Sequence, residues 1–227
     1  MRNGAPLADP FFSSVVALLH FDGTNGSTTY TDQKGHTFSN AGTTALSTAQ
    51  AKFGTASLLG GGTTSGVSSA ASTDWDMGLG DFTAEGFTYC TNTTPLQVLI
   101  GNRTGTGSDR GPLVLLQSGQ IRGFAGQGTG VPFGDTGLQG SLPTNTWFHW
   151  AYVRNGNNFL LFVNGTQVGT TVTSSAACGG TAPLQIGFDP GTTGRQIVGY
   201  IDEVRLTKGV GRYTSNFSAP TAAFPNF

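Results

Sequence analysis

Trp147-Phe148-His149-Trp150-Ala151-Tyr152-Val153-Arg154, then Asn155-Gly156-Asn157-Asn158, Phe159-Leu160-Leu161-Phe162-Val163, Asn164-Gly165 and Thr166-Gln167-Val168-Gly169 form the stretch whose reading decides the fold. Its apolar runs are separated by Asn-Gly pairs, which take up the positive φ angles of tight hairpin turns at low cost. The segment therefore reads as a three-strand antiparallel meander. Side chains alternate across a strand, so Trp147, His149, Ala151 and Val153 share one face and Phe148, Trp150, Tyr152 and Arg154 the other. Bulk on both faces places this strand in the middle of a sheet that is covered on both sides.

Working outward, period-two alternation and β-branched or aromatic runs recur at Val15 to Phe21, Phe82 to Tyr89, Leu96 to Ile100, Leu113 to Gln117, Ile121 to Phe124, Leu184 to Gly187 and Val198 to Leu206. No stretch keeps helical spacing over three turns. With the meander this gives roughly ten to twelve strands, enough for two antiparallel sheets packed face to face. The expected fold is an all-β jelly-roll sandwich, closed by its first and last strands lying side by side. The Gly/Thr/Ser tract from Gly60 to Ser72 and the stretch from Gly101 to Gly111 read as loops or edge hairpins, since strands needed for one sheet flank each of them. The organisation is one sandwich domain over 15–213, with an N-terminal extension, 1–14, and a C-terminal extension, 214–227, outside the strand pattern.

Charged residues make up 10% of the chain, against roughly 25% in ordinary soluble proteins, and the net charge is −1. Glycine alone supplies 36 residues, and Ser, Thr and Asn fill most other polar positions. No basic stripe exists to neutralise phosphates, which argues against nucleic-acid binding and against attraction to anionic membranes. The apolar run Val15 to Leu19 falls far short of the ~20 residues of a membrane span. The N-terminal stretch is broken by Asp9-Pro10 and does not read as a secretory signal, so synthesis in the cytoplasm without secretion is expected. A weakly charged, hydroxyl-rich surface suits a protein that ends up in an assembly.

Candidate chemistry is sparse. The three histidines, His20, His36 and His149, neighbour no nucleophile elbow. Cys90 and Cys178 have no CxxC partner and read as free thiols rather than as metal ligands. Asp202 and Glu203, adjacent on a strand, point to opposite faces and so form no acid pair for glycoside hydrolysis. Asp22, Asp32, Asp74, Asp76, Asp189 and Asp202 could donate oxygens to calcium, but no regular loop grammar links them; Asp22 and Asp202, on the strands expected to pair, have hydrogen bonding to nearby backbone N–H groups as their alternative. No metal site and no cofactor are expected. Of the tryptophans, Trp75 sits among polar residues in a turn-like segment and is the candidate for stacking on a sugar ring.

Ala17-Leu18-Leu19-His20-Phe21-Asp22-Gly23-Thr24, Lys52-Phe53-Gly54-Thr55-Ala56-Ser57-Leu58, Gly80-Asp81-Phe82-Thr83-Ala84-Glu85, Trp147 to Arg154, Phe162-Val163-Asn164-Gly165 and Tyr200-Ile201-Asp202-Glu203-Val204-Arg205-Leu206 follow one another in a known order. The chain resembles the laminin-G-like, concanavalin A-like jelly rolls from about residue 15 to its end. It departs from them at Gly86-Phe87-Thr88-Tyr89-Cys90, where an aromatic and apolar strand is usual. The closing Gly211-Arg212-Tyr213-Thr214-Ser215-Asn216-Phe217, Pro220-Thr221 and Phe224-Pro225 resemble the variant found in tailed-bacteriophage structural proteins. That resemblance implies a non-enzymatic virion component: a capsid decoration or cement protein, with the major capsid protein and its own copies, as a homotrimer, for partners. Phe11, Phe12, Phe224 and Phe227 are then the expected anchors on neighbouring subunits. The alternative is a tail-associated receptor-binding protein whose loops, with Trp75, contact a host cell-surface glycan.

Overall fold

The computed structural model describes residues 8–62, 64–104, 109–127 and 132–227. The strands are β1 (Val15–Leu19), β2 (Tyr30–Thr31), β3 (Thr37–Ala41), β4 (Ala45–Ser47), β5 (Ser57–Leu59), β6 (Gly66–Ser69), β7 (Phe82–Cys90), β8 (Gln97–Arg103), β9 (Asp109–Gln117), β10 (Gln120–Gly126), β11 (Trp147–Asn155), β12 (Asn158–Val163), β13 (Thr166–Gln167), β14 (Val172–Thr173), β15 (Leu184–Ile186) and β16 (Gly199–Lys208). Two 3-10 turns, Phe12–Ser14 and Thr73–Trp75, complete the regular structure.

The strands form two antiparallel sheets. The first runs β13-β12-β11-β7-β16-β5-β4, with β1 on β16 and β14 on β12; the second runs β10-β9-β8-β15-β6-β3-β2. The expected meander is β11 to β13, and its second turn puts Asn164 at φ 49° and Gly165 at φ 77°. β1 pairs with β16 from Val15 opposite Thr207 to Leu19 opposite Val204, so the first and last strands do lie side by side. Short strands account for the excess over the expected number, among them β6 inside the tract read as a loop.

The core fills the space between the sheets with Phe82, Ala84, Phe148, Trp150, Tyr152, Leu161 and Leu206 from the first and Leu99, Ile100, Val114, Leu116, Ile121 and Ile186 from the second. β11 lies between β7 and β12, as bulk on both faces required. Its cross-strand partner for Trp150 is Gly86, where a Cβ would come within 2.9 Å of the indole. The unusual glycine in β7 is therefore the space the tryptophan occupies.

The outer face of the first sheet is not left to water. Beyond β16 the chain crosses back over it: Tyr213 and Phe217 stack at 3.6 Å and cover Ala151, Val153, Leu160 and Phe162. Further on, Phe224 packs with Val15, Leu18 and Phe87, against which Phe12, Phe53 and Trp147 also rest. The Phe217 N–H donates to the Gly165 carbonyl at 2.9 Å, and the Asp9 N–H donates to the Phe227 carbonyl at 2.7 Å. The two extensions are thus held by the domain and by each other.

Candidate functional site

Beneath the crossing segment lies a charge cluster. Glu85 on β7 faces Arg205 on β16; the guanidinium gives Glu85 Oε1 hydrogen bonds of 3.0 and 2.8 Å and gives Asp9 Oδ2 one of 2.9 Å. Arg212 holds both oxygens of Asp9, Tyr213 donates its hydroxyl to Glu85 Oε2 at 2.9 Å, and the Nε2 of buried His149 approaches the same oxygen at 3.2 Å. Burial pushes the Glu85 carboxyl up, but Arg205, then His149 and Arg212, outweigh it and bring it down to about 2. Two carboxylates and two guanidiniums balance, which is the condition for burying them. Every hydrogen-bond partner is internal, so the cluster fastens the extensions, while Asp9 and Arg205 also line the larger cleft between them.

A β-bulge between Asp202 and Arg205 corrects the strict alternation expected there. Glu203 is the extra residue, at φ 52°, and Ile201 and Val204 both reach the core. Asp202 accepts the backbone N–H groups of Lys52, Phe53 and Glu203 at 2.7, 3.2 and 2.9 Å. Asp22 accepts the N–H and hydroxyl of Thr55. Both aspartates thus clamp the 52–55 turn through hydrogen bonds, and among the described residues no group of three or more His, Cys, Asp or Glu is placed to hold a metal ion. Cys90 and Cys178 are free and buried, with burial pushing each thiol up to about 12.

Glu203 supports a polar cavity of about 300 Å³, lined by His20, Phe21, Asp22, Thr31, Gln33 and Asn226. His20 Nδ1 donates to Glu203 Oε1 at 2.8 Å and Nε2 to Asn226 Oδ1 at 2.6 Å. Burial alone would lower the His20 pKa, but Glu203, by hydrogen bond and by charge, then Asn226 and Asp22, raises it. Phe21 stands at φ 56°, a left-handed conformation that is costly for a bulky residue, with its ring buried edge-on to Tyr30. Strain of this kind persists where the surroundings over-determine it and clusters at ligand sites. The sequence shows no nucleophile elbow beside His20, and its hydrogen-bond partners lie 183 and 206 positions away, so no local signal joins them.

Trp75 is a correction. Ser72 caps the short Thr73–Trp75 turn, the indole is fully buried, and its Nε1 donates to the Ala70 carbonyl at 3.0 Å while His36 lies at 4.5 Å over the ring. It presents no face to a sugar. Of the expected anchors, Phe224 is buried with Arg205 at 3.8 Å over its ring, and Phe12 is half-buried under Lys34. Phe11 and Phe227 remain exposed, at 41% and 56%. A larger cleft of about 640 Å³ lies between the extensions, with Pro10, Pro220, Ala222, Ala223, Pro225 and Phe227 among its walls.

Two antiparallel sheets wound face to face and closed by adjacent first and last strands define a concanavalin A-like jelly roll. The family model described as the Concanavalin A-like lectin/glucanases superfamily matches residues 59–210, more than half of the chain, and the protein belongs to that family. No curated protein matches it in sequence. Among solved structures it is similar to the binding domain of Paraclostridial Mosquitocidal Protein 1, at 13% identity and a TM-score of 0.66, covering 88% of this chain and 50% of that one. It is similar to the binding domain of Botulinum Neurotoxin DC in complex with SialylT, at 14% and 0.62, covering 88% and 49%. It is also similar to Trypanosoma rangeli sialidase, at 14% and 0.61, covering 88% and 32%. The chain spans half or less of the length of each, and at these identities the likeness is one of fold.

Proposed function

We propose that the protein is a non-enzymatic glycan-binding module of a cell-surface recognition apparatus, with the cavity beside His20 as its site. The observation that carries this reading is the cavity's composition: a carboxylate, two amides, a hydroxyl and an imidazole converge on a small concave space at a strained backbone. These are the groups that accept from and donate to sugar hydroxyls. The binding domains it resembles, one of them in complex with SialylT, support the same direction. Neither Glu85 nor Glu203 lines either cavity described, and both are committed to internal partners, which favours binding over hydrolysis. The test is saturable binding of the labelled protein to host cells before and after mild periodate oxidation of their surface sugars. Loss of binding after oxidation is expected, and undiminished binding counts against a glycan receptor.

A second reading, capsid decoration, draws on the resemblance to tailed-phage structural proteins and on Phe11 and Phe227, the exposed aromatics carried by the extensions beside the apolar cleft. On this reading the protein resides in the virion, its partners are the major capsid protein and further copies in a trimer, and these rings are the anchors. The double substitution Phe11→Ser, Phe227→Ser lowers occupancy on particles while leaving the domain folded; full occupancy would remove this reading.

A further inference from the structure

Beyond the site's existence, its charge says what it takes. Among the described residues, the ionisable side chains lining the cavity are His20 and Asp22. His20 is neutralised from behind by Glu203, whose own side chain is 1% exposed and which also accepts the Phe224 N–H at 2.9 Å. Asp22 is exposed at the mouth; Thr55 engages its Oδ1, and among the described residues its other oxygen has no donor. Even with His20 protonated, two carboxylates face one imidazolium, so the site carries a net negative charge. Nearby cations are committed elsewhere: Lys34 donates to the Phe12 carbonyl at 3.3 Å, and Lys52 lies over the rings of Phe53 and Phe87. The exposed side-chain amide of Gln33 has no partner among the described residues and adds a donor and an acceptor beside Asp22.

A ligand carboxylate entering this space meets Asp22 without a cation to offset it, and an unpaired like charge is an effective rejecting element. Neighbouring hydroxyls, in contrast, can donate to the second Asp22 oxygen and bridge to the Gln33 amide. We infer that the cavity selects neutral glycans presenting adjacent hydroxyl groups and rejects glycans that place a carboxylate there. The inference rests on the glycan-binding reading above and sets this protein apart from the neurotoxin domain whose complex holds SialylT.

The test is an array on which each neutral glycan is printed beside its sialylated counterpart, probed with the full chain, with Asp22→Asn and with Gln33→Ala. Neutral members bind, and terminal sialylation weakens the signal about ten-fold, the scale of one uncompensated charge contact in a wet cavity. Asp22→Asn keeps the acceptor for Thr55 and narrows that ratio; Gln33→Ala, at an exposed side chain, weakens neutral binding in a protein of unchanged fold. Equal or stronger binding to the sialylated members overturns the inference and leaves glycan recognition standing. Selectivity unchanged in both variants overturns the assignment to this cavity, and signal on no member overturns both.

Discussion

At the residue scale the decisive group is Glu85. Its folded pKa, near 2, lies below the ordinary carboxyl value of about 4.3. A carboxyl so depressed adds stability that is fully present above its unfolded pKa and is lost as pH falls through the folded one. The acid-induced loss from this residue therefore runs from about pH 4.3 down to about 2. Glu85→Gln lowers stability at neutral pH by about 3–5 kcal/mol, the cost of leaving a buried charge without its partner, and removes this part of the acid slope. Denaturant midpoints measured from neutral to acid pH check both effects, and a variant with the wild-type acid slope would exclude Glu85 as its source. Arg205 was visible in the sequence only as one of several charges, beside Asp202 and Glu203, on an otherwise apolar strand. The bulge at Glu203 sets it opposite Glu85, and strict alternation is the wrong rule at a bulge, so neither the pair nor the support for His20 could be read from spacing.

At the scale of elements, the strands were legible and the last segment was not. The meander, its Asn-Gly turns and the β1–β16 pairing follow from alternation and turn chemistry, because each is encoded within a few residues. Gly211 to Phe227 has no period, yet it covers a sheet face, since its contacts are single aromatic side chains dropped at irregular intervals: Tyr213, Phe217 and Phe224. Trp75 misled for the matching reason: polar neighbours suggest exposure, while a one-turn helix capped by Ser72 rotates the indole inward. If the segment belongs to the cooperative unit, Phe224→Ala costs about 3–5 kcal/mol, as for other buried phenylalanines, and lowers a single unfolding transition. Hydrogen exchange distinguishes the alternative: protection lost only near the Gln167 amide, which donates to Asn216, with the global midpoint unchanged, would make the segment a detachable flap.

At the scale of the molecule, the sparse charge of the sequence is drawn inward. Among the described residues nine charged side chains are buried, including Asp9, Arg103, Arg154, Asp189 and Arg205. The exterior is left more neutral than the composition suggests, so what the protein recognises must be chosen by hydrogen bonding and shape more than by long-range attraction. The family model stops at residue 210, before the crossing segment. The candidate site takes Asn226 from beyond that point and His20 to Gln33 from before the start of the match at residue 59, so the family match does not by itself carry the geometry of the site.

The hydrogen bond between Asp9 and Phe227 has a topological consequence. With both extensions meeting at one corner, a few residues of linker would join them without stretching, and the loop could be reopened at the Asn164-Gly165 turn or the hairpin at Gly156. A polypeptide rearranged in this way keeps every strand neighbour it now has. By the same geometry the whole sandwich can be spliced into a surface loop of another protein, where it would hang from a single point like a pendant with the cavity beside His20 close to the hook.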